Sequence, residues 1–496
     1  MKSIHISLGS YDELFRRSLL FAGLCVLILI ISMTPNAATD PDIGWHLSVG
    51  QWMVEHGTVP ATAPFSLYGQ GKPWVAYSWL FELIVYSLVQ AFGMVGLVIY
   101  TATLSLGIAS ALLMLIRKIE QNAGIAIGLT ALGIFAMAPV LQTPRPWLFT
   151  ILLFIIELDI LLTARRTGNY RYLLLLPFLF ALWANLHIQF IYGLFPLGVY
   201  MMEPLIEQAL RRPFSVENIR SAFNTRLWLI AIACFVATLA TPYHIHLYGA
   251  VVDTIRQTGA YQFLSELQAI SFRDYTNWAV LGLTVWAAYL LGKKVEARPF
   301  PVLMLMTGVF LSFRSLRDIW FVVLSAVIII ATSRPAPSAG NRFKIKKAQI
   351  LIAAAIVGII VILLVRKQKL TEEGLTDAVA KVYPAAAVEI VKTRGYPGPL
   401  YNHYNWGGYL IRHLPHLLVS MDGRNQIYGD ERVERSIKTW NGARDWADDP
   451  ELSQARLVIA DVNMPLASLL RCDKRFNLVY EDDVAALFIA KPASIQ

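Results

Sequence analysis

The chain is poor in charged residues and in cysteine, and both shortages limit what it can be. Charged residues make up 16% of its 496 residues, whereas soluble domains carry about 25%. The three cysteines, Cys25, Cys234 and Cys472, are scattered, and two of them lie inside apolar stretches. Neither a disulfide framework nor a cysteine-based metal site has this spacing. These shortages exclude an ordinary soluble protein and a scaffold held together by disulfides.

Apolar residues are correspondingly abundant. Hydrophobic residues make up 56% of the chain, and its mean hydropathy is +0.51. A globular core does not need this much apolar surface, but repeated crossings of a bilayer do. The formal net charge of +9 could suggest nucleic acid as a partner. We expect no nucleic acid, because the basic residues lie in short loops between apolar stretches, where they set orientation in a membrane.

Eleven apolar segments are predicted to span the bilayer. They cover 18–34, 94–116, 123–141, 147–164, 170–186, 188–209, 227–241, 275–292, 299–314, 318–332 and 348–365. The nearly unbroken stretch 170–209 would be about 60 Å long as one helix, so we expect it to fold back near residues 185–187. The first segment follows Arg16 and Arg17 without a convincing small-residue cleavage pattern, so we interpret it as an uncleaved helix.

The distribution of Lys and Arg predicts the orientation. With the N-terminus in the cytoplasm, the inward-facing ends carry Lys2, Arg16, Arg17, Arg117, Lys118, Arg165, Arg166, Arg171, Arg211, Arg212, Arg220, Arg226, Lys293, Lys294, Arg298, Arg334, Arg342, Lys344, Lys346 and Lys347. The outward loops carry only Lys72, Arg145, Arg256, Arg273, Arg314 and Arg317. Arg366, Lys367 and Lys369 disagree, but charges ahead of a long translocated segment count for less. The pattern predicts a multi-pass protein of the plasma (inner) membrane.

The crossings divide the sequence into two predicted domains. Residues 1–366 form a transmembrane domain whose first outer loop, 35–93, is large and holds two helices at the membrane interface, 43–56 and 78–92. An odd number of crossings places residues 367–496 outside, as an extracytoplasmic α/β domain. Its predicted strands are 398–402, 417–422, 456–462, 476–481 and 484–490, with a hairpin turn at 481–483, and its predicted helices are 384–394, 431–441 and 464–471.

Polar residues outside the basic inner loops concentrate in five outward loops. They are Asp40 and Asp42; Arg145; His187 and Gln189; Tyr243, His244, His246, Glu266, Arg273 and Asp274; and Arg314, Arg317 and Asp318. Polarity at a membrane is costly and points to function. A carboxylate there can deprotonate an acceptor hydroxyl or amine, or hold a divalent cation that does so. An arginine can bind a lipid-linked phosphate and stabilise it as it leaves.

Each of these residues also has a purely structural interpretation. Asp40 and Asp42 could turn or cap the chain beside a proline. The arginines could anchor helix ends to lipid phosphates, His187 could satisfy backbone groups in a tight turn, and His244 could be an ordinary loop residue. The functional interpretation is favoured because all of these groups are predicted on one face of the membrane.

Several motifs resemble those of bacterial GT-C type integral membrane glycosyltransferases, and most closely one bacterial subgroup. In the first outer loop they are the run 40–47 (Asp-Pro-Asp-Ile-Gly-Trp-His-Leu), Gly50, Gly57, Pro60, 64–66, Trp74 and the run 78–82 (Ser-Trp-Leu-Phe-Glu). Further on they are Arg145-Pro146, 184–187 (Ala-Asn-Leu-His), 405–410 (Asn-Trp-Gly-Gly-Tyr-Leu), 422–424 (Asp-Gly-Arg) and 428–430 (Tyr-Gly-Asp). The resemblance spans nearly the whole chain.

The resemblance implies a GT-C fold of about eleven transmembrane helices, with an acidic motif in the first outer loop as the catalytic centre and a polyprenyl phosphate-linked sugar as the donor. It makes Asp42 the preferred base or metal ligand and Asp40 the second choice. Arg145, with Arg314 or Arg317, would hold the donor phosphate. The residues predicted to bind substrate are His46, His187, Tyr243, His244 and Glu266. No cofactor is implied other than a divalent cation, for which Asp40 and Asp42 would be the ligands.

Three hypotheses follow for the function. The first is transfer of a sugar from a lipid-linked donor in the membrane to an acceptor on the extracytoplasmic face. The acceptor, a glycan, a lipid or a protein, stays open because the chain lacks the Trp-Trp-Asp-Tyr-Gly run of oligosaccharyltransferases. The second is a non-catalytic scaffold or flippase-like partner in envelope glycan assembly. The third, an ion-coupled transporter, is less favoured because neither broken helices at mid-membrane nor internal repeats stand out.

Overall fold

The computed structural model of the chain describes residues 8–210, 224–257, 264–293, 298–334 and 347–491. Part of the charge pattern that predicts the orientation falls elsewhere. The predicted inward residues Lys2, Arg211, Arg212, Arg220, Lys294, Arg342, Lys344 and Lys346 lie outside the described residues. The orientation of the termini therefore stays a prediction.

Helices make up most of the described chain. Up to residue 367 they are α1 (Leu8–Ser32), α2 (Ile43–His56), α3 (Trp79–Phe92), α4 (Val95–Ile119), α5 (Ala123–Ala136), α6 (Trp147–Thr167), α7 (Leu176–Leu186), α8 (Phe190–Leu210), α9 (Thr225–Ala237), α10 (His246–Arg256), α11 (Tyr275–Gly292), α12 (Pro299–Arg314), α13 (Ile319–Thr332) and α14 (Lys347–Lys367). After that they are α15 (Glu372–Ala380), α16 (Ala385–Arg394), α17 (Gly407–His413), α18 (Asn425–Tyr428), α19 (Asp430–Trp440), α20 (Pro450–Gln454) and α21 (Pro465–Cys472).

Every predicted membrane segment contains a helix, and the two interface helices are also present. The segments correspond to α1, α4 to α9 and α11 to α14, while α2 and α3 match the predicted 43–56 and 78–92. Within the described residues, α4 and α6 are long and apolar enough to cross a membrane, and α5, α9 and α12 are apolar but shorter. The helices are confirmed, whereas the number of eleven crossings stays a prediction.

The stretch 170–209 is divided into two helices near residues 185–187, as predicted. Helix α7 ends at Leu186, and His187 adopts an extended conformation with φ −160° and ψ 140°. The His187 amide donates to Trp183 O at 2.9 Å, and the Phe190 amide donates to His187 O at 3.2 Å as α8 begins. The helix is therefore interrupted where polar residues alternate with apolar ones, and the fold-back at this break stays a prediction.

Contacts within the chain divide it into two compact units. The helical unit comprises Met1–Thr34, Ile99–Ala240 and Gln268–Leu370, and the mixed unit comprises Pro35–Val98, Thr241–Leu267 and Thr371–Gln496. The first outer loop and residues 241–267 thus pack with the C-terminal segment. The linear boundary near residue 366 stays a prediction, and the contacts add that the C-terminal segment has partners from earlier in the chain.

The C-terminal part of the mixed unit contains one four-stranded sheet. Its strands are β1 (Leu400–Asn402), β2 (Leu457–Asp461), β3 (Phe476–Glu481) and β4 (Ala485–Ala490), in the order β1-β2-β4-β3. Strand β1 is parallel to β2, and the other neighbours are antiparallel. Asp482 closes the β3–β4 hairpin by accepting from the amides of Val484 and Ala485 at 2.8 and 2.7 Å. The predicted small α/β arrangement and its hairpin are confirmed.

The predicted strand 417–422 is wrong. Its backbone does not join the sheet, because Val419 pairs with the first outer loop: the Val419 amide donates to Phe65 O at 3.2 Å, and the Leu67 amide donates to Val419 O at 2.9 Å. Asn402 holds the next residue, since the Ser420 amide donates to Asn402 Oδ1 at 2.9 Å. The segment is therefore not a strand of the sheet. Val419 pairs with the first outer loop, and Ser420 is bound to Asn402 at the end of β1.

Candidate functional site

Asp40 closes the turn that leads into α2. Its Oδ1 accepts the Asp42 amide at 2.9 Å, and the residue is 5% exposed. Asp40 also lines a mainly apolar cavity of about 310 Å³ together with Tyr383 and Tyr409, whose rings stack at 4.9 Å. The side chain therefore has the turn geometry that the structural interpretation predicts for an Asx residue.

Asp42 occupies the N-cap position of α2 but its side chain makes no capping hydrogen bond. It is half-buried, and its carboxylate lies against Gly423 of the C-terminal segment, where an added Cβ would collide with Asp42 Oδ1. The positive end of the helix dipole favours an anion at this position. The two predicted carboxylates thus differ: Asp40 shapes the turn, whereas the Asp42 carboxylate is not used for capping.

The residues on either side of Gly423 form a fully buried ion pair. Arg424 Nε donates to Asp422 Oδ1 at 2.8 Å and Nη2 donates to Oδ2 at 2.7 Å, while the Tyr428 hydroxyl donates to Oδ2 at 2.6 Å. Burial acts to raise the pKa of Asp422, but the guanidinium and the hydroxyl outweigh it, so that this pKa lies below its ordinary value. The carboxylate is therefore ionised, and the pair is held from two sides.

Aromatic rings of the first outer loop surround the Arg424 guanidinium. Its Cζ lies 6.0 Å from the ring centroid of Trp45, 5.7 Å from that of Phe65 and 5.0 Å from that of Trp74. Such cation–π contacts are strongest where water is excluded. Among the described residues, Arg424 Nη1 has no hydrogen-bond partner. The C-terminal Asp-Gly-Arg motif is thus buried against the loop that carries the acidic motif.

Glu82 of α3 brings a second carboxyl group to the same region. Its Oε1 lies 3.2 Å from His46 Nδ1, and both side chains are buried. The two helices approach closely because Gly50 has no side chain: a Cβ there would lie 2.5 Å from Glu82 O. Burial raises the pKa of Glu82 to about 8, against a smaller lowering by the Arg424 guanidinium. At neutral pH the contact with His46 is therefore mainly a hydrogen bond of a protonated carboxyl group.

Tyr404 lies within electrostatic reach of Asp42 and of another predicted residue, Glu266. The Tyr404 hydroxyl donates to Asn425 Oδ1 at 2.8 Å. Burial raises the pKa of Tyr404, and the charges of Asp42, Glu266 and Asp422 raise it further. The charges of carboxylates from three separate segments of the mixed unit therefore act on the hydroxyl group of one half-buried tyrosine.

Tyr243 and His244, predicted to bind substrate, have different surroundings. The Tyr243 hydroxyl accepts the Ala76 amide at 3.1 Å and donates to Pro60 O at 2.9 Å. Burial raises the pKa of this hydroxyl well above its ordinary value. His244 is exposed and left-handed, with φ 47°. Tyr243 therefore stabilises the first outer loop by hydrogen bonds to its backbone, and His244 lies in a turn.

In the helical unit, Arg145 is held at the entry to α6. It is 8% exposed, and its Cζ lies 5.3 Å from the Trp147 ring centroid. The Tyr100 hydroxyl donates to Arg145 O at 3.1 Å, while Trp147 Nε1 donates to Val140 O at 2.8 Å. Proline on both sides limits the backbone. The Arg145 backbone is therefore held by Tyr100, and its guanidinium lies near the Trp147 ring.

His187 lies beside α6, the helix that follows Arg145. Its Nδ1 lies 2.8 Å from Thr150 Oγ1, which also accepts Trp183 Nε1 at 2.9 Å. Arg317 is close enough to His187 for their charges to interact. His187 thus uses its side chain in a buried network as well as shaping the turn.

The loop 314–318 contacts the turn after α7 and the helix α8 through Asp318. Its Oδ1 accepts Gln189 Nε2 at 2.9 Å, and its Oδ2 accepts the Tyr192 hydroxyl at 3.2 Å. Arg317 is half-buried, whereas Arg314 is exposed. Asp318 thus links the loop 314–318 to the turn after α7, and Arg317 is the more buried of the two arginines. The convergence of these two loops with Arg145 stays a prediction.

Sequence reasoning missed several residues of these networks. Glu82, Asp422 and Arg424 belong to the motifs singled out, but their burial was not predicted, and Thr150 and Tyr404 were not considered. Glu82 carries the one usable signal, a carboxylate in the first turn of an otherwise apolar helix. In the part of the chain that the structure describes, no three His, Cys, Asp or Glu side chains are grouped to hold a metal ion.

In fold, the chain is similar to solved structures of GT-C glycosyltransferases, which are integral membrane proteins. Among solved structures, the chain is similar to the archaeal oligosaccharyltransferase AglB from Archaeoglobus fulgidus in complex with an inhibitory peptide and a dolichol-phosphate. The TM-score is 0.53 at 10% identity, over 92% of this chain and 70% of that chain. For the apo form of the Archaeoglobus fulgidus oligosaccharyltransferase, the TM-score is 0.52 at 9% identity, over 90% of this chain and 69% of that chain.

A second type of protein is also similar. ArnT from Cupriavidus metallidurans bound to undecaprenyl phosphate matches with a TM-score of 0.46 and 14% identity, over 96% of this chain and 99% of that chain. No protein-family model matches the sequence, and no curated protein matches it either. At 9–10% identity, the likeness to the archaeal oligosaccharyltransferase is one of fold.

Proposed function

We propose that this protein is a membrane glycosyltransferase that moves a sugar from a polyprenyl phosphate-linked donor to an acceptor on the extracytoplasmic face. The observation that carries the proposal is the Asp42 carboxylate, which sits at the start of α2 without capping it. Structures with the same fold support the donor class, because one holds a dolichol-phosphate. On this proposal the chain crosses a plasma (inner) membrane eleven times, with the N-terminus in the cytoplasm.

Asp42 acts as the general base. Its carboxylate takes the proton of the acceptor hydroxyl or amine as the acceptor atom bonds to the anomeric carbon. The bond from that carbon to the phosphate oxygen breaks, the electron pair leaves with the phosphate, and the configuration inverts. Asp40 positions Asp42 through the bond to its amide. If a divalent cation takes part, Asp42 is its proposed ligand, with Asp40 as the second.

The donor phosphate is assigned to the arginines of the helical unit. Arg145 and Arg317 provide guanidinium groups that can form forked contacts with phosphate oxygens and stabilise the leaving group. His187 and Thr150 support this loop cluster through their 2.8 Å contact. Arg314 is exposed. We therefore propose it as the second choice, after Arg317, for contact with the donor phosphate. His46 and Glu266 are also predicted to bind substrate, and we propose that they do so near Asp42.

The test uses a strain that lacks the gene and carries plasmid-borne variants. Polyprenyl-linked sugars are extracted and measured by mass spectrometry. We expect the deletion to accumulate one such lipid and the unaltered protein to clear it. Asp42→Asn should leave it accumulated at equal protein level, because an amide cannot accept the proton.

The matched control is Asp377→Asn, which alters an exposed aspartate of α15 in the same unit. It should clear the lipid as the unaltered protein does. Clearance by Asp42→Asn, or the absence of any accumulated lipid in the deletion, would overturn the proposal. Chelation with EDTA during the reaction, measured on isolated membranes, tests separately whether a divalent cation takes part.

A further inference from the structure

Gly423 has no side chain where the Asp42 carboxylate needs the space. A Cβ built on Gly423 collides with Asp42 Oδ1 and would lie 2.8 Å from its Cγ and 3.2 Å from its Oδ2. The three closest atoms thus all belong to one carboxylate group. A carboxylate is the far end of a short side chain, so a methyl group at 423 would displace it.

Backbone conformation does not explain the glycine. Gly423 is not among the glycines with positive φ, such as Gly395 and Gly429. An L-residue could therefore adopt its backbone angles. The requirement at 423 is for room beside Asp42.

The same loop meets the C-terminal segment at two further glycines. A Cβ on Gly408 would collide with Pro41 O, and a Cβ on Gly44 would collide with Gly408 O. Pro41 and Gly44 flank Asp42 in the sequence. The backbone of the acidic motif is therefore in direct contact with the Trp-Gly-Gly run on one side, while its carboxylate contacts the Asp-Gly-Arg run.

Gly423 is itself fixed on both sides. Asp422 and Arg424 are fully buried and share a forked ion pair, and the Arg424 amide donates to Asp422 Oδ1 at 2.9 Å. This last bond closes a turn around Gly423. The surface against which the carboxylate lies therefore cannot easily move away.

We propose that Gly423 is a positioning residue, which sets where the Asp42 carboxylate lies through direct contact. This inference rests on the proposed function, in which Asp42 is the base. The C-terminal segment then contributes to the catalytic centre through a backbone surface and not through a reactive group.

The contact itself is tested by a double-mutant cycle on thermal stability, with Gly423→Ala, Asp42→Ala and the double variant. Gly423→Ala should lower the melting temperature by about 5 °C, because overpacking strains the contact. In the Asp42→Ala background the same change should cost less than half as much, since no carboxylate remains to be displaced. If Gly423→Ala alone does not fold, recovery of folded protein in the double variant supports the contact. An equal loss in both backgrounds, or no recovery, overturns it.

Activity provides the second readout. Gly423→Ala should lower the turnover number about 100-fold, as expected for a base displaced by about 1 Å, with the KM for the lipid donor close to the unaltered value. The matched control is Gly249→Ala in α10, where an added Cβ meets nothing within 4 Å. It should change neither quantity.

The two proposals fail differently. Full turnover in Gly423→Ala, together with none in Asp42→Asn, would overturn the positioning role and leave the function standing. Full turnover in Asp42→Asn would overturn the function, while the stability cycle would still report on the contact.

Discussion

Arg424 and Asp422 lie two residues apart and form a forked ion pair with 0% exposure of either side chain. The distances are 2.8 Å for Nε to Oδ1 and 2.7 Å for Nη2 to Oδ2. Two charges are seldom removed from water so completely unless additional hydrogen bonds and packing compensate. Here Tyr428 and the rings of Trp45 and Trp74 provide that compensation. The pair therefore links the C-terminal motif to the first outer loop.

The first prediction concerns this pair. Arg424→Gln should lower the free energy of unfolding by about 3–5 kcal/mol, because it leaves the Asp422 carboxylate buried without its charge partner. The measurement is thermal unfolding of the purified protein in detergent. Expression in the membrane fraction should fall accordingly.

Lys438→Ala is the matched control for Arg424→Gln. Lys438 pairs with Glu434 one helical turn away on the exposed face of α19, and solvent-exposed pairs contribute little. Its melting temperature should stay that of the unaltered protein. Equal effects of the two substitutions would show that burial of the Arg424 pair does not matter for stability.

The second prediction is a pH dependence that arises from Glu82. Burial raises its pKa to about 8 in the folded protein from an ordinary value of 4.5, so the folded state binds a proton that the unfolded state releases above about pH 4.5. The stability that this proton provides is complete at low pH and is lost as the pH rises toward 8. The loss is at most about 1.4 kcal/mol per pH unit.

Glu82→Gln should remove this part of the pH dependence, because the amide does not titrate. Melting temperatures measured from pH 5 to 8.5 should therefore converge at low pH and favour the variant increasingly as the pH rises. The charged or titratable groups that act near Glu82 are His46, Arg424 and Tyr243, and all are retained in the variant. Parallel curves for the two proteins would contradict the raised pKa.

The sequence predicts the helices well because each is specified locally. Residues 43–56 are predicted as a helix and observed as Ile43–His56, which ends where Gly57 takes a φ of 66°. The turn at His187 is likewise predictable, since a polar run divides a stretch too long for one crossing. Where periodicity, length and a terminating residue agree, the element follows from the sequence.

The candidate site is predictable only in part. Asp42 and Arg145 stand out because they follow apolar helices in marked motifs, but nothing local shows that Arg424 is buried or that Gly423 borders a carboxylate. Those facts depend on contacts between the first loop and residues more than three hundred positions later. The prediction of a strand at 417–422 is wrong for the same reason. The apolar residues there fit a strand, but the segment pairs with residues 65–67 and not with the sheet.

The third prediction separates charge from geometry at Arg145. Arg145→Lys keeps a positive charge but loses the planar fork that can bind two phosphate oxygens and that packs 5.3 Å from the Trp147 ring centroid. We expect Arg145→Lys to raise the KM for the polyprenyl phosphate-linked donor, and Arg145→Ala to raise it further and to lower the turnover number. Kinetics with membranes containing equal amounts of each variant provide the measurement.

Arg171→Ala serves as the control for Arg145, since Arg171 is exposed in the same unit and outside the proposed site. Its KM should equal that of the unaltered protein. If Arg145→Lys behaved like the unaltered protein, the fork would be dispensable. If Arg145→Ala did so as well, Arg145 would not bind the donor phosphate.

The last prediction concerns Glu157, a carboxyl group in the interior of α6. It is fully buried, and neither of its oxygens has a hydrogen-bond partner among the residues that the structure describes. Gly193 lies next to this carboxyl group: a Cβ added there would lie 2.8 Å from Glu157 Oε2 and 2.5 Å from the Trp183 ring. Burial of a polar group without a hydrogen bond costs about 1–3 kcal/mol. Glu157→Met, which has a similar length and no such cost, should therefore raise the melting temperature.

A lower melting temperature would show that the carboxyl group contributes a favourable interaction. A higher melting temperature with lost turnover would show that the buried acid is kept for activity, as intramembrane carboxylates often are.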